Sequence, residues 1–350
     1  MQKFNKTAKV ILFNLGFIGL ILVSAELLLR YKFFSKVELN KPLASLKSIT
    51  LALMNKGSSW DHHLNQSNIL RYPYPYIMFK GKPNTLDHNQ DGYRIVDPIT
   101  KKTINIALFG GSTGYAGTPP IINLITNKLS NTSENKKFAA LNFSVVSSNH
   151  NQHIHSILQN SDKYPIDLII FYGGYNESLQ TAFYDPRPGF PYNFKDRNEL
   201  SPLQMLIKKN SVLWQFVESK YFPNEDKKRV WSDEWSREIV LNYTSTIEKA
   251  RKLSKTFTTG RCKKPFLFIF QPFQLDKNQG VTTSYIKNVH KPFSKIASQS
   301  EDGIDISDIF KGSKDYYVDL SHTTQDGKEI ISEAIVKNQK FQEFINSCSL

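Results

Sequence analysis

The sequence predicts a three-layer α/β/α domain, a parallel sheet covered on both faces, behind one apolar N-terminal segment. Three observations predict it. Short, almost continuous apolar runs alternate with helical patterns after Lys101, the signature of parallel strands buried on both sides. A twenty-residue apolar stretch stands near the N-terminus. Hydrophobic residues make up 40% of the 350 residues, enough for a sizeable core.

The N-terminal stretch is VILFNLGFIGLILVSAELLL, Val10 to Leu29, preceded by Lys3, Lys6 and Lys9. At about 1.5 Å rise per residue it reaches about 30 Å, the thickness of a bilayer core. Only Asn14 and Glu26 interrupt it. Val23-Ser24-Ala25 resembles the cleavage site of a signal peptide, yet Leu27, Leu28 and Leu29 continue the run beyond it. A retained transmembrane anchor is the expectation, and a cleaved signal the alternative. Arg30, Lys32, Lys36, Lys41 and Lys47 follow, so the positive-inside count does not favour export of what comes next. Large domains translocate regardless of that bias, and an extracytoplasmic domain is expected.

Residues 1–30 therefore read as the anchor and 31–70 as a connector, with a short amphipathic patch in ASLKSITLALM. The main domain occupies 71–350. It opens on RYPYPYIMFKGKPNTLDHNQDGYRI, an aromatic, turn-rich text of ordered loop and short strands. Strands are expected at INIALF (104–109), FAALNFSV (138–145), DLIIFYG (167–173) and PFLFIFQPF (265–273). Helical patterns lie between them in PPIINLITNKL, NQHIHSILQN and EWSREIVLNYTSTIEKARKL. In the last, Trp235, Ile239, Tyr243 and Ile247 recur every four residues on one face. An insertion at about 178–230 holds the turn-rich YDPRPGFPYNF and a helix around Leu203 to Val217. With Asp185 and Arg187 it reads either as a lid over a site or as a packed proline-rich loop.

The formal net charge is +14, spread along the chain. It suits anionic lipid, acidic polysaccharide or nucleic acid, and equally a basic surface with no dedicated ligand. No nucleic-acid motif is present, so no nucleic-acid partner is expected. Cys262 and Cys348 exclude a cysteine-rich scaffold or cysteine zinc cluster. They leave one disulfide or two unpaired thiols open. His150, His153 and His155 cluster, but no nearby Cys or Asp completes a ligand set and a helix would spread them apart, so no metal is expected.

The chemistry concentrates at the expected strand ends, where sites form in parallel sheets. FGGSTGYAG follows the first core strand, and its glycines permit a sharp turn exposing the Ser112 hydroxyl and N–H. The text lacks the Lys-Ser/Thr of a phosphate loop and the Gly-x-Gly-x-x-Gly of a dinucleotide site. Gly110-x-Ser112-x-Gly114 does fit a nucleophile elbow. Asp319 and His322, three apart in YYVDLSHTTQDGKEI, can stand side by side as orienter and base. Asn176, in FYGGYNES after the third strand, can offer a side-chain amide to an oxyanion, or can simply tolerate an unusual backbone angle.

In combination these blocks resemble the SGNH (GDSL-like) hydrolases. FGGST looks like their first block, NFSVVSSNHNQHI (142–154) their second, GYNE (174–177) their Gly-x-Asn-Asp block and DLSH (319–322) their Asp-x-x-His block. The N…GYR text at 89–94 and the N-terminal segment resemble the membrane-anchored bacterial members. The resemblance covers residues 71 to 336. It implies a flavodoxin-like parallel sheet, Ser112 as nucleophile, His322 as base and Asp319 as orienter. It further implies an oxyanion hole from the N–H groups of Ser112 and Ser147 and the Asn176 amide, with Gly111, Gly174 and Glu177 at the substrate face. No cofactor is implied. Three positions depart from the pattern: Gly111 stands for Asp, Glu177 for Asp, and Ser147 for the oxyanion glycine, where a positive φ would strain a serine. The acid lying three residues before the base separates this pattern from α/β-hydrolases. The implied activity is a serine esterase acting on a small acyl ester, such as acetyl on an exported glycan. O-acyl transfer from the same site and a non-catalytic, anchored glycan-binding or assembly protein are the alternatives.

Overall fold

The computed structural model describes residues 14–29, 31, 67–94, 97–100, 102–133, 135–179, 181, 187–192, 194, 211–221, 232–275, 281–311 and 313–349. The chain forms two compact units, one from residues 1–48 and 195–227, the other from 49–194 and 228–350.

In the larger unit five parallel strands form one sheet: β3 (Thr103–Gly110), β4 (Lys137–Asn142), β5 (Leu168–Gly173), β6 (Phe266–Phe270) and β7 (Gly303–Asp305). Their order is β4-β3-β5-β6-β7, the 2-1-3-4-5 arrangement of flavodoxin-like sheets. The chain order reverses between β3 and β5, which pair from Ile106↔Leu168 to Gly110↔Tyr172. A two-stranded antiparallel ribbon, β1 (Tyr72–Tyr74) and β2 (Met78–Lys80), precedes the sheet.

The three layers follow from the two-residue period of the strands. Ile104, Ile106 and Leu108 of β3 face one way, with Leu168 and Ile170 of β5. They pack on α2 (Ile121–Thr132), α6 (Gln325–Lys337) and α7 (Gln339–Asn346). Ala107, Phe109, Ile169, Phe171 and Phe268 face the other way. They meet α3 (His150–Asn160), α4 (Asp233–Phe257) and α5 (Lys291–Gln299). The remaining labelled helix, α1 (Ser112–Tyr115), is a single turn directly behind β3. The four-residue stripe of Trp235, Ile239, Tyr243 and Ile247 is buried, as its spacing predicts. Ser232 caps α4 by accepting from Trp235 N–H, and Asp233 and Glu234 complement its N-terminal dipole.

The four expected strands form within a few residues of their predicted bounds. The β1–β2 ribbon supplies the short strands expected after Arg71, and β7 is additional, at three residues too short to show a period. Cys262 and Cys348 form a disulfide, which resolves the alternative the sequence left open.

In the smaller unit residues 14–29 are helical, with Leu15, Leu20 and Leu28 exposed. Val212–Tyr221 is also a helix, overlapping the one expected at Leu203 to Val217. The Glu26 carboxylate caps it, accepting from Val212 N–H at 2.9 Å, Leu213 N–H at 2.8 Å and Ser211 Oγ–H at 2.8 Å. Among the described residues no helix is long and apolar enough to cross a membrane. The first residues of the expected Val10–Leu29 span, the patch in ASLKSITLALM and Asp185 lie outside the described residues.

Candidate active site

The site is built where β3 and β5 end, on either side of the point at which chain order reverses. β3 delivers Gly110 to the carboxyl edge of the sheet, and the chain turns at once into α1. Gly111 is its N-cap and Ser112 its first residue, so the Ser112 N–H has no acceptor within the helix. Thr113 Oγ donates to Gln271 Oε1 at 2.8 Å and ties the turn to the end of β6.

His322 meets this turn from the loop before α6. Its Nε2 lies 2.7 Å from Ser112 Oγ, and its Nδ1 lies 2.6 Å from Asp319 Oδ2. A carboxylate oxygen only accepts, so Nδ1 carries the proton and Nε2 presents its lone pair to the serine hydroxyl. The other Asp319 oxygen accepts the backbone N–H groups of Ser321 at 2.9 Å and His322 at 2.8 Å. Burial pushes the Asp319 carboxyl up, but the neighbouring His322 and these N–H donors outweigh it and hold it at about 2. The loop is fixed from outside by Gln274 N–H donating to Leu320 O at 2.7 Å and by a bridge between Tyr317 and Thr323.

Asn176 stands in the turn after β5. Its Nδ2 donates to Ser148 O at 2.6 Å, leaving the second amide hydrogen free to point elsewhere. The same nitrogen crowds Gly111: a Cβ there would stand 2.2 Å from it. The amide is thus one residue from Ser112 on one side and one residue from Ser147 on the other. Ser147 has φ +65°, the left-handed region where its sequence position warned of strain. The three expected oxyanion groups are brought together.

The residues expected at the substrate face divide differently. Glu177 is buried, with both oxygens engaged: Oε2 accepts from Gly174 N–H at 2.6 Å and Oε1 from His150 N–H at 2.8 Å. It is not placed to touch a substrate, and neither is the N–H of Gly174, which it consumes. Gly174 has φ +120°, and a Cβ there would stand 2.3 Å from the Phe270 ring; its role is in the backbone turn. Gly111 does line the turn that carries Ser112.

His150 and His153 are not spread apart. Three residues apart on α3, they share a face and are buried beneath the site, whereas His155 is exposed. Among the described residues no cluster of ligating side chains could hold a metal ion.

Several supporting residues had no role assigned from the sequence. Arg94, in the GYR text, is buried and donates from Nη1 to Tyr115 O at 2.7 Å and Gly117 O at 2.6 Å, holding the chain that leaves α1. His88 Nε2 lies 2.9 Å from the Tyr115 hydroxyl. Lys328 Nζ donates to Thr323 O at 2.7 Å beside the loop that carries His322, and burial with the nearby Arg94 pushes its pKa down to about 8. Arg94 had a signal in the GYR text, whereas Lys328 had none, because its burial cannot be read from the sequence.

No family model and no curated protein matches the chain. Solved structures resemble it in outline. They include a lipase/acylhydrolase from Enterococcus faecalis, with 14% identity over 68% of this chain and 96% of that one, at a TM-score of 0.39. The acetyl xylan esterase AlAXEase has 11% identity, covers 66% and 96%, and scores 0.39. A catalytic mutant of Axe2, an acetylxylan esterase from Geobacillus stearothermophilus, has 9% identity, covers 67% and 92%, and scores 0.38.

Proposed function

We propose that this chain is an SGNH-like serine hydrolase that cleaves small acyl esters. One observation carries the reading: a continuous line from Asp319 Oδ2 through the His322 ring to Ser112 Oγ, with links of 2.6 and 2.7 Å. On this reading Ser112 Oγ attacks the ester carbonyl carbon as its proton passes to His322 Nε2. Asp319, held ionised, stabilises the imidazolium and keeps its orientation. The carbonyl oxygen becomes an oxyanion facing the N–H groups of Ser112 and Ser147 and the free amide hydrogen of Asn176. The carbon–oxygen bond to the alcohol breaks, the alcohol leaves with the proton from His322, and an acyl-serine remains. Water attacks it by the same route in reverse, releasing the acid.

Two further features bear on where and on what the enzyme acts. The Cys262–Cys348 disulfide supports a domain exposed to an oxidising compartment. The apolar N-terminal segment supports attachment to a membrane, with the domain outside the cytoplasm. The net charge of +14 favours an anionic surface or polymer bearing the ester, an O-acetylated exported glycan fitting both. The strained Ser147 is the observation that favours a non-catalytic reading. The group needed there is a backbone N–H, which serine retains, so the enzyme reading stands first.

The test is hydrolysis of a short-chain aryl acetate and labelling by a serine-directed fluorophosphonate, with the full chain and its Ser112→Ala variant. Both signals present in the parent and absent in the variant is the expected result. A folded parent chain that shows neither would exclude the hydrolase and favour the binding protein.

A further inference from the structure

Beneath the two loops that carry the oxyanion groups lies a buried chain of polar side chains that the proposed reaction does not use. Glu177, His150 and His153 are 5%, 1% and 2% exposed. His153 Nε2 lies 3.2 Å from Gly110 O, an atom that only accepts, so Nε2 carries the proton. The same nitrogen is 2.9 Å from Ser148 Oγ. Burial keeps both rings neutral, pushing each down to about 3. The bare Nδ1 of His153 therefore accepts, and its partner at 3.1 Å is His150 Nδ1, which must hold the hydrogen. That N–H also faces Glu177 Oε1 at 3.1 Å. The carboxylate thus accepts two backbone N–H groups, those of Gly174 and His150, and faces the N–H of the His150 ring. Through the rings it is joined to the last residue of β3, and through Gly174 and His150 to both oxyanion loops. A Cβ on Gly173 would stand 2.6 Å from the His150 ring, so the strand end is shaped around this pair.

We infer that Glu177 is a positioning residue, acting through His150 and His153 to hold the Asn176 turn and the Ser147–Ser148 loop in register with Ser112. The inference rests on the oxyanion roles proposed above. Glutamine is the discriminating substitution: one amide oxygen replaces two carboxylate oxygens, and its NH2 is turned against an N–H that had been accepted. The fold remains packed, but the loops lose their common anchor.

The experiment compares the full chain with Glu177→Gln, Glu177→Asp and His153→Gln. In Glu177→Gln kcat for the aryl acetate should fall by about 30- to 100-fold, the scale of an ångström's misplacement, with KM within about twofold. Glu177→Asp, which keeps the charge, should recover at least about a third of the lost logarithm of rate. His153→Gln leaves the carboxylate in place and should cost less, about three- to tenfold. It also serves if the first variant does not fold. In parallel, NMR follows the side-chain NH2 of Asn176, expected as one slowly exchanging, well-resolved pair in the parent and averaged in Glu177→Gln.

A parent chain without turnover, whose Asn176 signal still collapses in Glu177→Gln, would sink the hydrolase reading and leave the positioning inference standing. An unchanged Asn176 signal, or unchanged kcat in both Glu177→Gln and His153→Gln, would overturn the inference. So would a rise in KM at constant kcat, which would place Glu177 against the substrate.

Discussion

Gly111→Ala isolates the role of Asn176 without touching a reacting group. The backbone at Gly111 has φ −82° and ψ −153°, extended geometry open to any residue, so the substitution acts through space alone. The new Cβ would stand 2.2 Å from Asn176 Nδ2, 3.2 Å from its Cγ and 3.3 Å from Ser148 O. The atom in the way is the free end of a side chain, and it can swing aside. Doing so breaks the 2.6 Å bond to Ser148 O, worth about 1–2 kcal/mol with the carbonyl left unpaired, or a fall in Tm of about 2–6 °C. The effect on rate is larger. Withdrawing one preorganised oxyanion donor costs about 100- to 1,000-fold in kcat, roughly 2.7–4 kcal/mol. The assay is steady-state hydrolysis of the aryl acetate with a thermal melt on the same preparation. Adding Gly111→Ala to Asn176→Ala should cost little more than Asn176→Ala alone, because both remove the same group. A variant that melts near the parent and turns over within about threefold of it would show that Asn176 is not an oxyanion donor. A variant that does not fold would show that the amide cannot move, and would refute the steric argument.

Ser147→Gly should stabilise the protein by about 1 kcal/mol, since glycine takes the +65° φ without the steric cost serine carries. Its kcat should stay within about twofold, because the N–H is unchanged, and a denaturant titration at constant m-value reads the gain. Acidification should destabilise. His150 and His153 are held near 3 by burial, so below about pH 6.5 the unfolded chain binds protons that the folded chain refuses, and stability falls. His88 and His290, also pushed down by burial, act in the same sense. Glu177, pushed up by burial, opposes them above its ordinary range, but the histidines outnumber it and the net is a loss of stability between pH 7 and pH 5. Equal urea midpoints at those two pH values would refute this. The Cys262–Cys348 bond spans 86 residues, and reduction should cost about 2–4 kcal/mol. A reductant should lower the Tm of the parent and leave that of Cys348→Ser unmoved.

What the sequence disclosed, and what it withheld, divides along a physical line. Ser112, Asp319 and His322 were legible because each sits in a short local pattern whose spacing is itself the requirement of the chemistry. The long strands were legible because burial on both faces leaves mostly apolar residues in β3 to β6. β7, three residues reading Gly-Ile-Asp, had too little length to show a period. The pairing of cysteines 86 apart depends on where α7 ends against the start of β6, which no local pattern records. Glu177 was expected at the substrate face by resemblance, and its burial is possible only because the N–H groups of Gly174, in the turn itself, and His150, distant in sequence, satisfy the carboxylate. The histidine pair had a usable signal, the three-residue spacing that puts His150 and His153 on one face of α3. It was spent on the question of a metal.

On the proposed hydrolase reading, the strain at Ser147 and the polar network below it answer one requirement. An oxyanion hole needs backbone N–H groups that bond to nothing in the resting protein, so the loop carrying them cannot be held by regular ladder bonds. Here the neighbouring residue takes the load. Ser148 donates its N–H to Val145 O at 3.1 Å, its hydroxyl faces Val145 O at 2.8 Å and Gly110 O at 3.0 Å, and its carbonyl accepts from Asn176. With the polar groups of Ser148 committed on both sides, the turn at Ser147 has little freedom, and the left-handed angle is the one that results. A strain of about 1–2 kcal/mol is small beside several buried hydrogen bonds at about 1 kcal/mol net each. A serine can therefore occupy a position suited to glycine without the loop rearranging to relieve it.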